Sequence, residues 1–134
     1  MAGTIAADTL THSTAGSLGT QYVVNGSAKA WLNINQTSTQ AIRDSFNVSS
    51  IADNGTGLTT VTVSSAFANN DYLATIALRM QSGTSNTGSS GGVNTSDGSA
   101  SITTTAHQLS YINTGSTGDA DTPYGGSSIH GDLA

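Results

Sequence analysis

A hairpin signal at residues 53–64 constrains the fold more than any other part of the chain. Asp53-Asn54-Gly55-Thr56-Gly57 is rich in the residues that accept the positive φ angles of a tight hairpin turn. Residues 58–64 then alternate with a period of two, which places Thr59, Val61 and Val63 on one face. This pattern predicts a turn followed by a β-strand.

The preceding block, residues 28–52, predicts two more strands. Ala30, Leu32 and Ile34 share one face of the first strand. Trp31, the only tryptophan, lies on the other face, and we expect it to anchor a core or an interface. The apolar positions of the second segment are Ile42, Phe46, Val48 and Ile51. A turn at 67–71 and a longer strand at 72–80 are predicted to follow.

The composition favours an all-β fold. Helix formers such as Glu, Lys, Gln and Leu are scarce, whereas Thr, Val, Ser and Gly are plentiful. Charged residues make up 8% of the chain, far below the roughly 25% of average soluble domains. A protein with so little charge-based repulsion is expected to work inside an assembly, where neighbours cover its surface.

Several classes of function are disfavoured by composition. With no cysteine, the chain has no disulfides or thiolate metal sites, and oligomerisation is the expected source of extra stability. A formal charge of −5, with only three basic residues, argues against nucleic acid. No signal peptide and no run of about 20 apolar residues is evident, so membrane insertion is not expected.

The chain divides into an N-terminal arm and a β domain. Residues 1–27 carry sparse apolar side chains and predict an extended arm for assembly or attachment, with a short strand at 20–25. Residues 28–134 form the β domain, in which residues 101–113 predict a further strand or bulged pair. Its polar Ser/Gly segments at 81–100 and 114–128 predict loops, either simply mobile or serving as variable contact loops. Residues 129–134 are expected to form a final strand or to pack on a neighbouring subunit.

No constellation of residues predicts catalysis, a cofactor or a metal. His12, His107 and His130 are far apart, so packing is the favoured role, the alternative being an ion on the axis of a trimer. Asp119 and Asp121 resemble only half of a calcium loop. No G-x-S-x-G elbow or cleft-type carboxylate pair is evident, and we expect no enzyme activity. The adjacent pair Arg43-Asp44 predicts a structural ion pair or turn clamp.

One block of the sequence resembles a known family. AW at residues 30–31, IRDSFNVSSI at 42–51 and DNGTG at 53–57 occur in the order found in virion appendage proteins of tailed phages, notably marine ones. The resemblance covers roughly residues 20–80, with weaker similarity in the leader GTIAADTLTHSTAGSL and the terminal GDLA. The chain departs from the family at residues 35–38, where a glycine-bearing turn is usual, and in the Ser/Gly-rich stretch 81–128.

The resemblance implies a small antiparallel β-sandwich, jelly-roll-like, with an extended N-terminal arm and homotrimeric assembly. It implies a non-enzymatic structural protein of the virion, on the capsid or tail surface, whose partners are other virion proteins. The alternative is a tail-fibre or spike tip that binds a host cell-surface receptor or glycan. Tyr111 and Tyr124 are the only aromatic residues after residue 80, which favours the structural role.

Overall fold

The computed structural model describes residues 3–78, 89–93, 102–113 and 118–134, and in these ranges the chain is mostly antiparallel β-strand with one short helix. The strands preceding residue 64 are β1 (Thr9–His12), β2 (Gly16–Gly19), β3 (Ala30–Asn35), β4 (Ala41–Phe46), β5 (Val48–Gly55) and β6 (Leu58–Val63). The later strands are β7 (Leu73–Leu78), β8 (Ser89–Val93), β9 (Ala106–Asn113), β10 (Gly118–Asp119) and β11 (Gly125–His130). Helix α1 spans Thr20–Gly26, and no helix within the described ranges has the length and apolar character needed to cross a membrane.

The strands of the main body form two sheets. One has the order β4-β3-β11-β7, and the other has the order β10-β9-β6-β5 with β8 also paired to β9. The pairing within both sheets is antiparallel. A separate two-stranded sheet, β1-β2, precedes them. The predicted all-β class is confirmed.

The inner sides of the two sheets share one apolar interior. Leu32 and Ile34 of β3 belong to the same buried cluster as Val61 of β6 and Leu109 and Tyr111 of β9. A second cluster continues this interior toward the other end of the sheets and consists of Ala30, Val63, Phe67, Tyr72 and Ile129. The prediction that residues 30, 32 and 34 share one face is therefore confirmed, and this face lies toward the interior, since all three are buried.

A single residue carries the chain from one sheet to the other. Asn47 lies between β4 and β5 with φ 54°, in the left-handed region that Asn tolerates better than most residues. Its side-chain Nδ2 donates to the carbonyl oxygens of Lys29 (3.0 Å) and Ser65 (3.3 Å). Its Oδ1 accepts the backbone N–H of Ser65 at 2.7 Å. These contacts fix the corner within the motif IRDSFNVSSI.

A buried polar network fixes the turn after β3. Gln36 Nε2 donates to Thr59 Oγ1 at 2.8 Å, and that hydroxyl donates to Gln40 Oε1 at 2.8 Å. The backbone N–H of Thr122 in turn donates to Gln36 Oε1 at 3.2 Å. Gln36 and Thr59 are almost fully buried, so these bonds satisfy groups that would be costly to bury alone.

Several sequence-based expectations are wrong. Residues 20–25 form helix α1 instead of a strand. Strand β8 lies within the loop predicted at 81–100, and the rest of that loop lies outside the described residues. Strand β10 and residues 125–128 of β11 lie within the loop predicted at 114–128, whereas the last two residues of β11 belong to the segment 129–134, for which a final strand was one of the expectations. Of the two roles expected for Trp31, the core anchor is wrong, because its side chain is 38% exposed on the outer side of β3, and the interface anchor stays a prediction.

Candidate functional site

The outer side of the four-stranded sheet carries an ordered pattern of side chains. In one row across the strands, Trp31 lies between its register partners Phe46 of β4 and Ser128 of β11. The next row contains Asn33 between Asp44 and Gly126. Ala77 of β7 pairs with Gly126 on its other side and completes this second row.

Three residues of this second row, Asn33, Gly126 and Ala77, are among those that line an open furrow of about 460 Å³. Gly126 has no side chain, and a Cβ built there would lie 2.3 Å from the carbonyl oxygen of Leu32. The group that comes close to this glycine is the backbone of β3, and Gly126 itself is buried. The residues that line the furrow are Leu32, Asn33, Ala77, Leu78, Tyr124, Gly125 and Gly126.

The aromatic side chain at the end of the furrow is held by an arginine. The Arg43 guanidinium carbon lies 4.4 Å from the centroid of the Tyr124 ring. Arg43 Nη2 also donates a 2.9 Å hydrogen bond to the carbonyl oxygen of Pro123. The cation–π contact and the hydrogen bond together fix the position of the Tyr124 ring beside the furrow.

Of the two roles predicted for the adjacent pair Arg43-Asp44, an ion pair or a turn clamp, the ion pair is wrong. Arg43 binds the 123–124 segment, whereas Asp44 Oδ1 accepts the backbone N–H of Ser45 at 2.9 Å. The register between β3 and β4 shifts at Asn33/Ile34, which identifies Arg43 as the extra residue of a β-bulge. The bulge aims Arg43 away from Asp44 and toward Tyr124.

A second exposed surface lies in the N-terminal segment, residues 3–27. Leu10 and Leu18 are register partners in the β1-β2 hairpin, and each is 47% exposed. Helix α1 has no buried residue. The other large apolar side chains of this segment are also exposed: Ile5, Tyr22, Val23 and Val24.

The three histidines lie in unrelated environments. His12 Nδ1 accepts the backbone N–H groups of Thr14 and Ala15 in the β1-β2 turn. His107 is buried between the sheets beside the Tyr72 ring, and burial lowers its pKa to about 4. His130 lies 3.4 Å from the hydroxyl of Ser128. Within the described ranges, no three His, Cys, Asp or Glu side chains lie close enough together to hold a metal ion.

The two aspartates considered for calcium lie near the β6 turn and β10. Asp121 Oδ1 accepts the backbone N–H of Gly57 at 2.8 Å, which is a structural role. Asp119 lies in the short strand β10, paired with Ile112. Asp121 therefore connects the segment after β10 to the hairpin signal of residues 53–57.

No family model matches the chain, and neither a curated protein nor a solved structure shows significant similarity to it. The resemblance to phage appendage proteins therefore stays a prediction.

Sequence reasoning placed only part of this surface. It placed Trp31 on the face of its strand opposite residues 30, 32 and 34, and it noticed Arg43 and Asp44. It missed the furrow, because residues 114–128 were interpreted as a loop. The sequence signal that was available is the run Tyr124-Gly125-Gly126, one aromatic residue followed by two glycines, shortly before the apolar Ile129.

Proposed function

We propose that this chain is a non-enzymatic structural protein of a tailed-phage virion. It acts as a homotrimeric appendage, decoration or connector module on the tail or capsid, in contact with other virion proteins. Its body is a small β-sandwich, a description supported by two antiparallel sheets whose inner sides share one buried cluster.

The main observation in support of this proposal is the set of exposed apolar side chains in residues 3–27. Large apolar side chains on a hairpin and a seven-residue helix cannot be buried within the segment itself. A helix of this length is marginal without packing partners. Contact with neighbouring subunits would bury these side chains and stabilise the segment.

Oligomeric state in solution provides the first test. We expect the full chain to be a trimer by light scattering coupled to size-exclusion chromatography, and Leu10→Ser/Leu18→Ser to shift it toward monomer. The matched control is Ile112→Ser/Leu133→Ser, because these side chains are 42% and 43% exposed in the body. A monomeric full chain, or equal loss of trimer in both variants, would contradict assembly through the N-terminal segment.

The position of the chain on the virion is tested on the assembled particle. Electron cryomicroscopy of the virion is expected to show ordered copies at capsid or tail symmetry sites, with residues 3–27 against neighbouring subunits. Absence of the chain from purified particles would rule out a virion role. Copies at the distal end of a tail appendage would favour the alternative, a receptor-binding tip.

A further inference from the structure

We propose that Asn54 is a site of spontaneous deamidation, at which the backbone nitrogen of Gly55 attacks the Asn54 carboxamide and the Asp53 carboxylate accepts the proton. The site lies in the hairpin between β5 and β6. Its chemistry requires only water besides the chain itself. It therefore does not depend on where the chain sits in a particle or on its oligomeric state.

The dipeptide Asn-Gly is the sequence in which this attack meets the least steric obstruction, because glycine has no Cβ to shield its nitrogen. It occurs twice in the chain, at residues 25–26 and 54–55. All four residues are exposed, and no atom lies within 4 Å of the position that a Cβ would take at either glycine. Access alone therefore does not distinguish the two sites.

The two sites differ in backbone structure. Asn25 and Gly26 end helix α1, and past its first turn an α-helix engages each N–H with the carbonyl oxygen four residues earlier. Asn54, by contrast, has no register partner, because the pairing of β5 with β6 shifts between Asp53 and Gly55. It is the extra residue of a β-bulge. The helix therefore restrains the attacking nitrogen at position 26, whereas the bulge interrupts the ladder at position 54.

The side chains around Gly55 supply the remaining groups. The Gly55 N–H donates to Asp53 Oδ1 at 3.0 Å, so a carboxylate already contacts the proton that must leave when the nitrogen attacks. Among the described residues, one hydrogen bond holds the Asn54 side chain, in which Nδ2 donates to Thr60 Oγ1 at 2.6 Å. Breaking that bond frees the carboxamide to turn toward the Gly55 nitrogen.

Each step of the reaction balances. The Gly55 nitrogen forms a bond to Asn54 Cγ as its proton passes to Asp53, and this closes a five-membered ring. The bond between Cγ and Nδ2 then breaks, and Nδ2 leaves as ammonia with the proton returned from Asp53. Water adds to either carbonyl carbon of the ring and opens it. The products are aspartate and isoaspartate, and no oxidant or reductant is involved.

Conversion changes the hairpin close to its contacts with the rest of the body. The product adds a carboxylate beside Asp53 and removes the N–H donor to Thr60, and isoaspartate also adds one methylene group to the backbone. In the same turn, the Gly57 N–H donates to Asp121 Oδ1 at 2.8 Å, and the Gly57 carbonyl oxygen accepts the N–H of Tyr111 at 3.0 Å. The modified residue therefore lies next to the contacts that join this turn to β9.

The second Asn-Gly dipeptide is an internal control. Trypsin cleavage after the three basic residues of the chain places Asn25 and Asn54 in separate fragments, 1–29 and 44–79. The full folded chain is incubated in mildly alkaline buffer, sampled over weeks and digested. Mass spectrometry with electron-transfer fragmentation then distinguishes isoaspartate from aspartate. We expect both products at position 54 and slower conversion at position 25. In guanidinium chloride, which removes both the helix and the bulge, the two rates should become similar.

Two substitutions test the assigned groups. Asp53→Ser keeps a side-chain oxygen that can accept the Gly55 N–H but removes the carboxylate. We expect it to slow conversion at Asn54 roughly tenfold, less than the usual contribution of a general base because a carboxylate is a weak base. Asn54→Gln is the matched control. Its longer side chain would have to close a six-membered ring, so almost no conversion is expected at position 54.

Four results would overturn this assignment. One is conversion at Asn54 that is no faster than at Asn25 in the folded chain. Another is aspartate without isoaspartate at position 54, which would indicate direct hydrolysis without ring closure. The third is a preference for Asn54 that persists in guanidinium chloride, since local sequence and not the fold would then cause it. The fourth is an unchanged rate in Asp53→Ser, which would exclude Asp53 as the proton acceptor.

Discussion

Asn47 donates its side-chain amide to the carbonyl oxygen of Lys29 across a distance of 3.0 Å. Lys29 directly precedes β3, and Asn47 directly follows β4, so this bond joins the ends of two paired strands. The same amide reaches Ser65, which follows β6 of the other sheet. One side chain therefore ties together both sheets at the point where the chain crosses between them.

Two substitutions of Asn47 separate the contribution of its side-chain hydrogen bonds from that of its left-handed backbone conformation. Asn47→Ala loses three side-chain hydrogen bonds and leaves an alanine at φ 54°, in the left-handed region, with no side-chain contact to hold it there. We therefore expect a loss of roughly 2–4 kcal/mol in the free energy of unfolding. Asn47→Gly loses the same side-chain hydrogen bonds, but glycine adopts this backbone conformation without strain. Urea denaturation measures both, with Asn33→Ala as the control that should change stability little. Equal stability of Asn47→Ala and Asn33→Ala would refute the role of the corner.

The buried pair Gln36 and Thr59 should behave as one unit. Gln36→Leu leaves the Thr122 N–H without its side-chain acceptor, and we expect it to cost roughly 1–3 kcal/mol. Thr59→Val removes the hydroxyl that links Gln36 to Gln40 and should cost a similar amount. In a double-mutant cycle, the combined variant is expected to lose less than the sum of the two, with a coupling of about 0.5 kcal/mol or more. Strict additivity would show that the two side chains act independently.

Stability should fall in acid because of His107. Its folded pKa is about 4, below the ordinary 6.5, so the unfolded chain binds a proton more readily between these values. His107 should therefore cost no stability above pH 6.5 and should destabilise the fold as the pH falls toward 4. The predicted loss is about 3 kcal/mol.

The check is the free energy of unfolding from pH 7 to pH 4 for the unmodified chain and for His107→Gln. The variant should show a shallower decline than the unmodified chain. Parallel curves for the unmodified chain and His107→Gln would assign the acid sensitivity to other groups.

Position 126 in β11 should not tolerate a side chain. Gly126→Ala would place a Cβ 2.3 Å from the backbone oxygen of Leu32, and we expect a loss of roughly 1–3 kcal/mol from overpacking. Gly92→Ala in β8 is the matched control, because no atom lies within 4 Å of the position that its methyl group would take, and no loss is expected. Thermal unfolding compares the two. Similar melting temperatures would mean that the β3-β11 pairing can widen without cost.

The strands that sequence predicted best are those whose side chains alternate between the interior and solvent. Strand β6 buries residues 59, 61 and 63, and β3 buries residues 30, 32 and 34. For these segments the period of two reflects the physical difference between the two sides of a sheet. The turn predicted at residues 53–57 from their tolerance of positive φ angles is also confirmed, since Gly55 and Gly57 both have positive φ.

The missed elements lack that signal. Strand β11 has the sequence Gly-Gly-Ser-Ser-Ile-His, and its place is decided by hydrogen bonds to β3 and β7 on both sides. Residues 20–26 contain two valines and a tyrosine, which favour strands, yet form a helix whose conformation local propensity did not reveal. The furrow was missed for the same reason as β11: its residues become neighbours only through long-range pairing.

The position of β11 has a consequence for how the protein is made. This strand lies between β3 and β7, although it is translated after both. Until residues 125–130 have left the ribosome, β3 and β7 each present an unpaired edge, and such edges invite pairing with other chains. Nascent copies on one messenger are therefore most vulnerable to mispairing just before the sheet closes. A chaperone or a neighbouring subunit that covers these edges would act in that interval.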